Sequence, residues 1–562
     1  MSVAAHILRH MSDDAPARPR PTHNPWLVLI ALCIGFFMIL LDTTIVNIAI
    51  PNMIDKLHAS LDEILWVINA YILVYAVLLI TAGRLGDLYG PKQLFQLGLA
   101  VFTLASAACG MAQNPGQLIV FRVLQGIGGA LLTPQTLSVI TTIFPAERRG
   151  AAFGLWGAVA GVATVAGPTL GGFIVSHWGW RWIFFVNVPI GIGALVMAAI
   201  VMPNLQLNRR HRLDFLGTAL ATAGLFAVTY GLIEGQPHDW GKVWGQVTIP
   251  MVIGAGVVLL AVFLVQQYLQ RDSEPLVPFA IFRDRNYATM NFVVAALGFG
   301  MLGLFLPLVI YLQSVLGLSA LQAGLTVAPM SLVSMVVAPV TGRLADRIGG
   351  KFILMTGLTL FATGMAVVLA SAHVGSSPLH LLPGLVVAGL GMGCTFAPMQ
   401  TVAMRNVAPR MAGAASGVIN TTRQLGAVIG SAAVGALLQN QLAIKLTAAA
   451  ERNAGALPPQ FRSQFVTGFA HASGRNLEVG AGQTGAKLPP GLPEQARQLI
   501  QDVATTTFHE GFVDAMRVSL VLPIAVIGAA ALSCLFVRGR GRTAGDAAPR
   551  EPAEQTADAM TA

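Results

Sequence analysis

Three charged residues lie inside runs that are otherwise apolar, and each could do chemistry that its neighbours cannot. Asp42 stands in Leu41-Asp42-Thr43-Thr44-Ile45-Val46-Asn47. A carboxylate in a long apolar run is costly unless it faces protein, water or a cation. It could alternate between holding a proton and facing a cationic substrate; the plainer alternative is a helix–helix hydrogen bond. Thr43, Thr44 and Asn47 extend the polar strip on either reading. Arg122 stands in Arg122-Val123-Leu124-Gln125-Gly126-Ile127-Gly128-Gly129. A guanidinium keeps its proton, so carbonyls, a carboxylate or water must satisfy it. Its candidate roles are proton handling and a structural anchor. Arg423 falls near the middle of a third run, where contact with substrate or a water-filled cavity competes with structural pairing.

A second constellation is duplicated. Gly83-Arg84-Leu85-Gly86-Asp87-Leu88-Tyr89-Gly90-Pro91-Lys92 recurs 259 residues later as Gly342-Arg343-Leu344-Ala345-Asp346-Arg347-Ile348-Gly349-Gly350-Lys351, with six of ten positions identical. Gly83 and Gly90 permit a tight connection. Asp87, and Asp346 in the second copy, could accept hydrogen bonds from the N–H groups of the next helix or pair with an arginine. Such a group can act as a latch between two parts of the chain, or as a simple helix cap. Leu88 replaces the basic residue that the second copy supplies as Arg347. Gly126, Gly128, Gly150, Gly154 and Gly167 also match Gly389, Gly391, Gly413, Gly417 and Gly430 at a constant offset of 263. By this alignment Arg122 corresponds to Leu385 and Arg423 to Ala160, so each charge belongs to one half only.

Gly150, Gly154, Gly157 and Gly161 recur every three or four residues, followed by Gly167-Pro168 and Gly171-Gly172. Small residues at that spacing let helix backbones touch, and Pro168 allows a bend. The helix is suited either to repacking between two states or to static close packing. The chain shows no phosphate-binding Gly-rich loop ending in Lys-Ser/Thr, no Ser/His/Asp grouping and no metal-ligand spacing. Cys33, Cys109, Cys394 and Cys534 all fall in apolar runs and read as small core residues. These observations predict a non-enzyme without metal or cofactor. If it does work, an ion gradient drives it, and a proton is the best match to a lone titrating carboxylate.

The elements that position these residues are membrane spans. Of 562 residues, 55% are hydrophobic and 10% are charged, against roughly 25% charged in soluble chains. The net charge of +9 does not indicate nucleic-acid binding, because the basic residues lie between apolar runs and form no single patch. Fourteen spans are predicted: Trp26–Ile50, Leu61–Ala82, Leu94–Met111, Leu118–Phe144, Ala152–Val175, Trp182–Met202, Phe215–Ile233, Val247–Val265, Tyr287–Tyr311, Ala323–Val340, Phe352–Ser371, Leu381–Met404, Ala414–Leu438 and Val518–Phe536. The first is too long for a signal-peptide core and lacks a cleavage pattern. With the N-terminus inside, the inner segments hold 22 Lys and Arg and the short outer loops hold 3. Both termini are therefore expected to be cytoplasmic.

The duplicated segments are eight spans apart, so two helices are inserted between six-helix repeats. The expected fold is an all-α polytopic membrane protein. Its parts are a tail (1–25), a six-helix bundle (26–205), two inserted helices (206–270), a second six-helix bundle (271–537) and a C-terminal tail (538–562). Residues 439–513 are expected to form a long outer loop with one surface helix carrying Ala496, Leu499, Ile500 and Val503. That loop could also be a lid or a docking element.

Taken together, Leu41 to Asn47, Gly83 to Lys92, Arg122 to Gly129, Gly161 to Gly172 and Trp180-Arg181-Trp182-Ile183-Phe184-Phe185-Val186-Asn187-Val188-Pro189 resemble the major facilitator superfamily. More closely, the chain is similar to its fourteen-span drug–proton antiporters of the EmrB and QacA type. The resemblance spans about Trp26 to Val537. It implies export of amphipathic, cationic small molecules against protons across the cytoplasmic membrane, with multidrug resistance as the consequence. It assigns Asp42 to substrate recognition and coupling, Arg122 to proton translocation, Asp87 to gating, and Gly161 to Gly172 to the antiporter helix. The expected partners are small-molecule substrates, protons and the lipid bilayer; an envelope partner is left open. The alternatives are export of one endogenous metabolite or antibiotic, proton-driven uptake, and a membrane sensor or assembly partner that transports nothing.

Overall fold

The computed structural model describes residues 24–59, 61–145, 148–204, 214–235, 238, 240–270, 276–277, 279–408, 411–472 and 494–538. Several spans open on the same local chemistry, a polar cap followed by proline in the first turn. Asn24 accepts a hydrogen bond from Trp26 N at 3.0 Å ahead of Pro25, and Asn114 accepts one from Gln117 N at 2.9 Å ahead of Pro115. Proline costs nothing there, because a first-turn N–H has no helical partner.

The N-terminal helices are α1 (Pro25–Leu57), α2 (Leu61–Tyr89), α3 (Pro91–Met111), α4 (Pro115–Ile143), α5 (Arg149–Trp178), the short α6 (Trp182–Phe185) and α7 (Asn187–Val201). A hairpin follows, α8 (Phe215–Glu234) and α9 (Ile249–Leu269), with the antiparallel pair β1 (Lys242–Trp244) and β2 (Val247–Thr248) at its tip. The C-terminal helices are α10 (Arg285–Ile310), α11 (Ala320–Ile348), α12 (Lys351–Ser371), α13 (Pro378–Gly393), α14 (Phe396–Ala403), α15 (Ala412–Asn453), α16 (Pro459–Ala472) and α17 (Glu494–Ser533).

Among the described residues, thirteen helices are long and apolar enough to cross a membrane. The remaining expected span, Ala152–Val175, falls on the 30-residue α5, in which the side chains of Thr164, Val165 and Pro168 lie outside the description. Three expected spans differ in detail. Val247 and Thr248 pair in the sheet, so that helix begins at Ile249. The sixth breaks at Val186, and the twelfth breaks at Cys394–Thr395.

Packing within the N-terminal helices joins α1 to α5 and α7, and α4 to α2 and α3; within the C-terminal helices it joins α10 to α15 and α17, and α12 to α13. Two seams link the groups, α5 against α11 and α2 against α15. The α8–α9 hairpin rests on α2, while α9 exposes Met251, Val257, Val258, Val262 and Val265, as a lipid-facing helix must.

Asp214 ties the hairpin together. Its Oδ1 accepts from Gly217 N (2.8 Å), and its Oδ2 accepts from Gln266 Nε2 (2.9 Å) and Gln267 Nε2 (2.6 Å) of α9. Burial alone would raise this carboxyl's pKa, but the three donors outweigh it and hold the group below the ordinary carboxylate range. Asp214→Ala is expected to cost about 1 kcal/mol, the value of a lost N-cap. A depressed folded pKa stabilises above the unfolded value and stops doing so as pH falls through the folded one. The gap between wild type and variant, read by thermal unfolding in detergent, should therefore be full at neutral pH and close in strong acid.

The expected outer loop is corrected. Residues 439–453 continue α15, 459–472 form α16, and 494–513 begin α17; 473–493 lie outside the described residues. α15 has 42 residues and α17 has 40, or about 60 Å each, twice the roughly 30 Å hydrocarbon core. Their projecting parts, α16 and the link before it share a core of Leu446, Ala450, Leu457, Phe465, Phe469, Ile500, Ala504 and Phe508. Ile500 is buried and Leu499 exposed, so the predicted surface helix exists as the first turns of a span.

Candidate functional site

Asp42 and Arg122 meet. Arg122 Nη1 donates to Asp42 Oδ2 at 2.5 Å, and both side chains are buried, at 1% and 0% exposure. Asp42 stands on α1 and Arg122 on α4, and four further helices complete the pair's surroundings. From α4, Gln125 Nε2 donates to Asp42 Oδ1 (2.8 Å), while its Oε1 accepts from Arg122 Nη1 (2.8 Å). From α2, Val67 O accepts from Arg122 Nε (3.0 Å), and the Tyr71 ring lies 4.2 Å from the guanidinium carbon. The Phe184 ring of α6 lies on the same guanidinium at 6.0 Å. From α7, Asn187 Nδ2 donates to Asp42 Oδ1 (3.4 Å) and to Ser106 Oγ of α3 (3.1 Å).

The sequence signals Asp42 and Arg122 individually but not their pairing, and it passes over Gln125 and Asn187. Gln125 is three residues after Arg122, on the same helix face, which was the available cue. Asn187 offered none, since it comes from a helix 145 residues from Asp42. A buried ion pair is held by its full set of hydrogen bonds, and removing either partner strands a charge.

Arg423 is not part of this cluster. It is half-buried on α15, and Arg423 Nη2 donates to Asn420 Oδ1 at 3.4 Å. Among the described residues it has no carboxylate partner.

The duplicated segment is not a turn through most of its length. Gly83 and Asp87 lie in the last turns of α2, and Gly342, Asp346 and Arg347 in those of α11, with Arg347 exposed. Only Gly90 (φ 94°) and Gly349 (φ 91°) adopt the left-handed backbone that favours glycine. Nor does Asp87 cap the next helix. Its two carboxylate oxygens accept from Gly413 N (2.9 Å) and Ala414 N (2.8 Å) at the start of α15. Asp346 does the same to Gly150 N (2.8 Å) and Ala151 N (3.0 Å) at the start of α5.

Neither α5 nor α15 has a side-chain cap from its own N-cap residue. Each is capped by an anion from the opposite group of helices, a favourable partner for a helix N-terminus. The glycines serve the close approach. A Cβ on Gly83 would stand 2.5 Å from Gly413 O, and one on Gly150 would overlap Gly342 O.

The closest approaches of the α5 glycines are to two helices, while Gly157 makes only ordinary contact with Phe396 of α14. Gly154 and Gly161 face α11, where a Cβ would come within 2.7 Å of Ala338 O and 2.9 Å of Ser331 O. Gly167 and Gly171 face α1 instead, against Thr44 and Ile45, while Gly172 makes only ordinary contact with Leu321. Pro168 lies in the helix, with its side chain outside the description. Helix α5 thus touches α1 two residues from Asp42 and α11 along its other face.

The family model for the Major Facilitator Superfamily matches residues 32–431. The uncharacterized MFS-type transporter Rv1250 of Mycobacterium tuberculosis is 42% identical over 75% of this chain and 72% of its own length. The tetracenomycin C resistance and export protein of Streptomyces glaucescens is 32% identical over 92% of both. The multidrug resistance protein Stp of Mycobacterium tuberculosis is 32% identical over 91% of both. Among solved structures, the proton:xylose symporter XylE aligns with a TM-score of 0.57 over 92% of this chain and 96% of that one; at 12% identity it shows the fold alone.

Proposed function

Since the chain belongs to the major facilitator superfamily, with relatives named as drug-resistance and export proteins, we propose that it is a proton-driven antiporter exporting amphipathic, cationic small molecules across the cytoplasmic membrane. The observation that carries this reading is the buried Asp42–Arg122 pair. A transporter coupled to protons needs a group that gains and loses one inside the membrane, and on this reading Asp42 is that group. When a proton arrives from outside, Asp42 releases Arg122, which keeps Val67 O and Gln125 Oε1 as acceptors. The neutral acid can donate to Asn187, whose Oδ1 has no hydrogen-bond partner among the described residues.

Movement of α1 then passes through Thr44 and Ile45 to Gly167 and Gly171 of α5, and from α5 to α11. The Asp87 and Asp346 contacts release at the cytoplasmic end, and cargo loads near the midplane between the halves. Arg423, half-buried on α15 in the second half, is the proposed cargo- or water-facing charge there. In this conformation Arg122 neutralises Asp42; a cationic cargo binds in the open state by displacing the proton from Asp42, and that proton leaves to the cytoplasm. A membrane potential adds about 2.3 kcal/mol per 100 mV for each net charge carried inward, and nothing when one proton exchanges for one monovalent cation.

The test is transport by purified protein in vesicles with ethidium as cargo. Accumulation should follow an imposed pH difference and stop with a protonophore. Cargo movement indifferent to both would overturn the antiport reading. A second reading, export of a single compound, is favoured by relatives named for tetracenomycin C and actinorhodin. An efflux panel separates the two, because a single-compound exporter would move one member and ignore ethidium.

A further inference from the structure

At the end of the molecule that carries Asp87 and Asp346, a polar cavity of about 330 Å³ opens between the start of α10, the segment before α15 and the end of α17. Four of its lining residues are arginines, Arg283, Arg285, Arg405 and Arg538. None of them is ion-paired among the described residues. The single carboxylate in the lining, Asp284, is already engaged: its Oδ1 accepts from Asn286 N (2.7 Å) and its Oδ2 from Asn406 Nδ2 (2.6 Å). Four positive charges against one negative leave a surplus of three.

The scaffold behind these arginines is built from buried hydrogen bonds. Buried Asn286 clamps the end of α17, with Arg538 N donating to its Oδ1 (2.8 Å) and its Nδ2 donating to Arg538 O (3.3 Å). Asn406 holds the segment before α15 onto Asp284. Three separate elements are thereby fixed so that their guanidinium groups surround one space. Guanidinium forks match phosphate oxygens in geometry as well as charge.

The surroundings are apolar. Leu532 at the end of α17, and Leu535 and Phe536 in the turn just beyond it, are 66%, 56% and 60% exposed, and the Arg285 guanidinium carbon lies 5.5 Å from the Phe536 ring. A free phosphate would use the arginines but leave this apolar surface bare. We propose that the cavity binds the phosphate headgroup of an anionic phospholipid, with its acyl chains along the exposed end of α17. The site is separate from the Asp42–Arg122 cluster, so failure of either assignment leaves the other standing.

The full-length protein, delipidated in mild detergent, is titrated with phosphatidylglycerol, with phosphatidylcholine of the same chains, and with inorganic phosphate alone, and is read by native mass spectrometry and thermal unfolding. Phosphatidylglycerol should bind about a hundredfold more tightly than phosphatidylcholine. R283Q/R405Q/R538Q should lose about a hundredfold in that affinity, and the corresponding triple lysine variant should keep most of it. Should the triple glutamine variant fail to fold, Arg405→Gln alone should cost about fivefold. Equal binding of the two lipids would overturn the proposal, as would unchanged binding in a well-folded glutamine variant. Stabilisation by inorganic phosphate as strong as by lipid would make this a free-anion site and overturn the lipid assignment.

Discussion

Asp42→Asn is expected to leave the protein in the membrane and to abolish pH-driven export, reducing ethidium efflux to passive leak. Asparagine keeps the shape of the side chain but cannot bind or release the proton, and it turns the contact with Arg122 from an ion pair into a polar contact with a stranded cation. Breaking a buried pair from one side costs about 3–5 kcal/mol. Val67 O, Gln125 Oε1 and the Tyr71 ring still serve the guanidinium, so the lower end of that range is expected. Adding Arg122→Gln should recover most of the lost thermal stability, because two neutral side chains replace an orphaned charge. It should recover none of the export. That split separates a coupling role from a structural one: stability follows the pair, transport follows the carboxylate. Full pH-driven efflux in Asp42→Asn would remove Asp42 from the mechanism.

Charge in an apolar run is legible because its cost is large, which is why Asp42 and Arg122 stand out in the sequence. Gln125 and Asn187 complete the same cluster and do not stand out. An uncharged amide within a span carries a smaller penalty, and which helix faces which is decided by packing. The repeat was legible in a deeper sense than a shared turn. The offsets of 259 and 263 align Asp87 with Asp346 and Gly150 with Gly413, and these are the residues that cap and approach one another across the two seams. What stayed hidden was the crossing itself, since an Asp near a helix end satisfies the next helix as readily as a distant one in any local reading. The described part of 439–513 departs from the expected loop for a different reason. Its span edges were set by hydropathy, whereas Leu442, Leu446, Ala449 and Ala450 continue α15 by periodicity and are buried by other helices rather than by lipid.

The two seams carry the second large effect. Asp87 and Asp346 each accept two hydrogen bonds from a helix N-terminus, and a charged hydrogen bond contributes about 1.5–3 kcal/mol. Asp87→Ala should therefore weaken the closed arrangement by about 3 kcal/mol, a shift of about a hundredfold toward opening at that end. Asp87→Asn retains one acceptor oxygen and should fall between. Gly150→Leu attacks the same seam sterically, because any Cβ would overlap Gly342 O and the Asp346 carboxylate. Gly435→Ala is the matched control, since nothing lies within 4 Å of its Cβ position. Spin labels at Tyr89 and Ile348, which are exposed at the ends of α2 and α11, report the separation at this end. Three native cysteines are buried and Cys394 is half-buried, so the added sites should label selectively. The distance distribution should lengthen in Asp87→Ala and Gly150→Leu, and export should fall with it, because a protein held open at one end cannot complete the cycle. An unchanged distribution in both variants would show that the two carboxylates cap their helices without governing access.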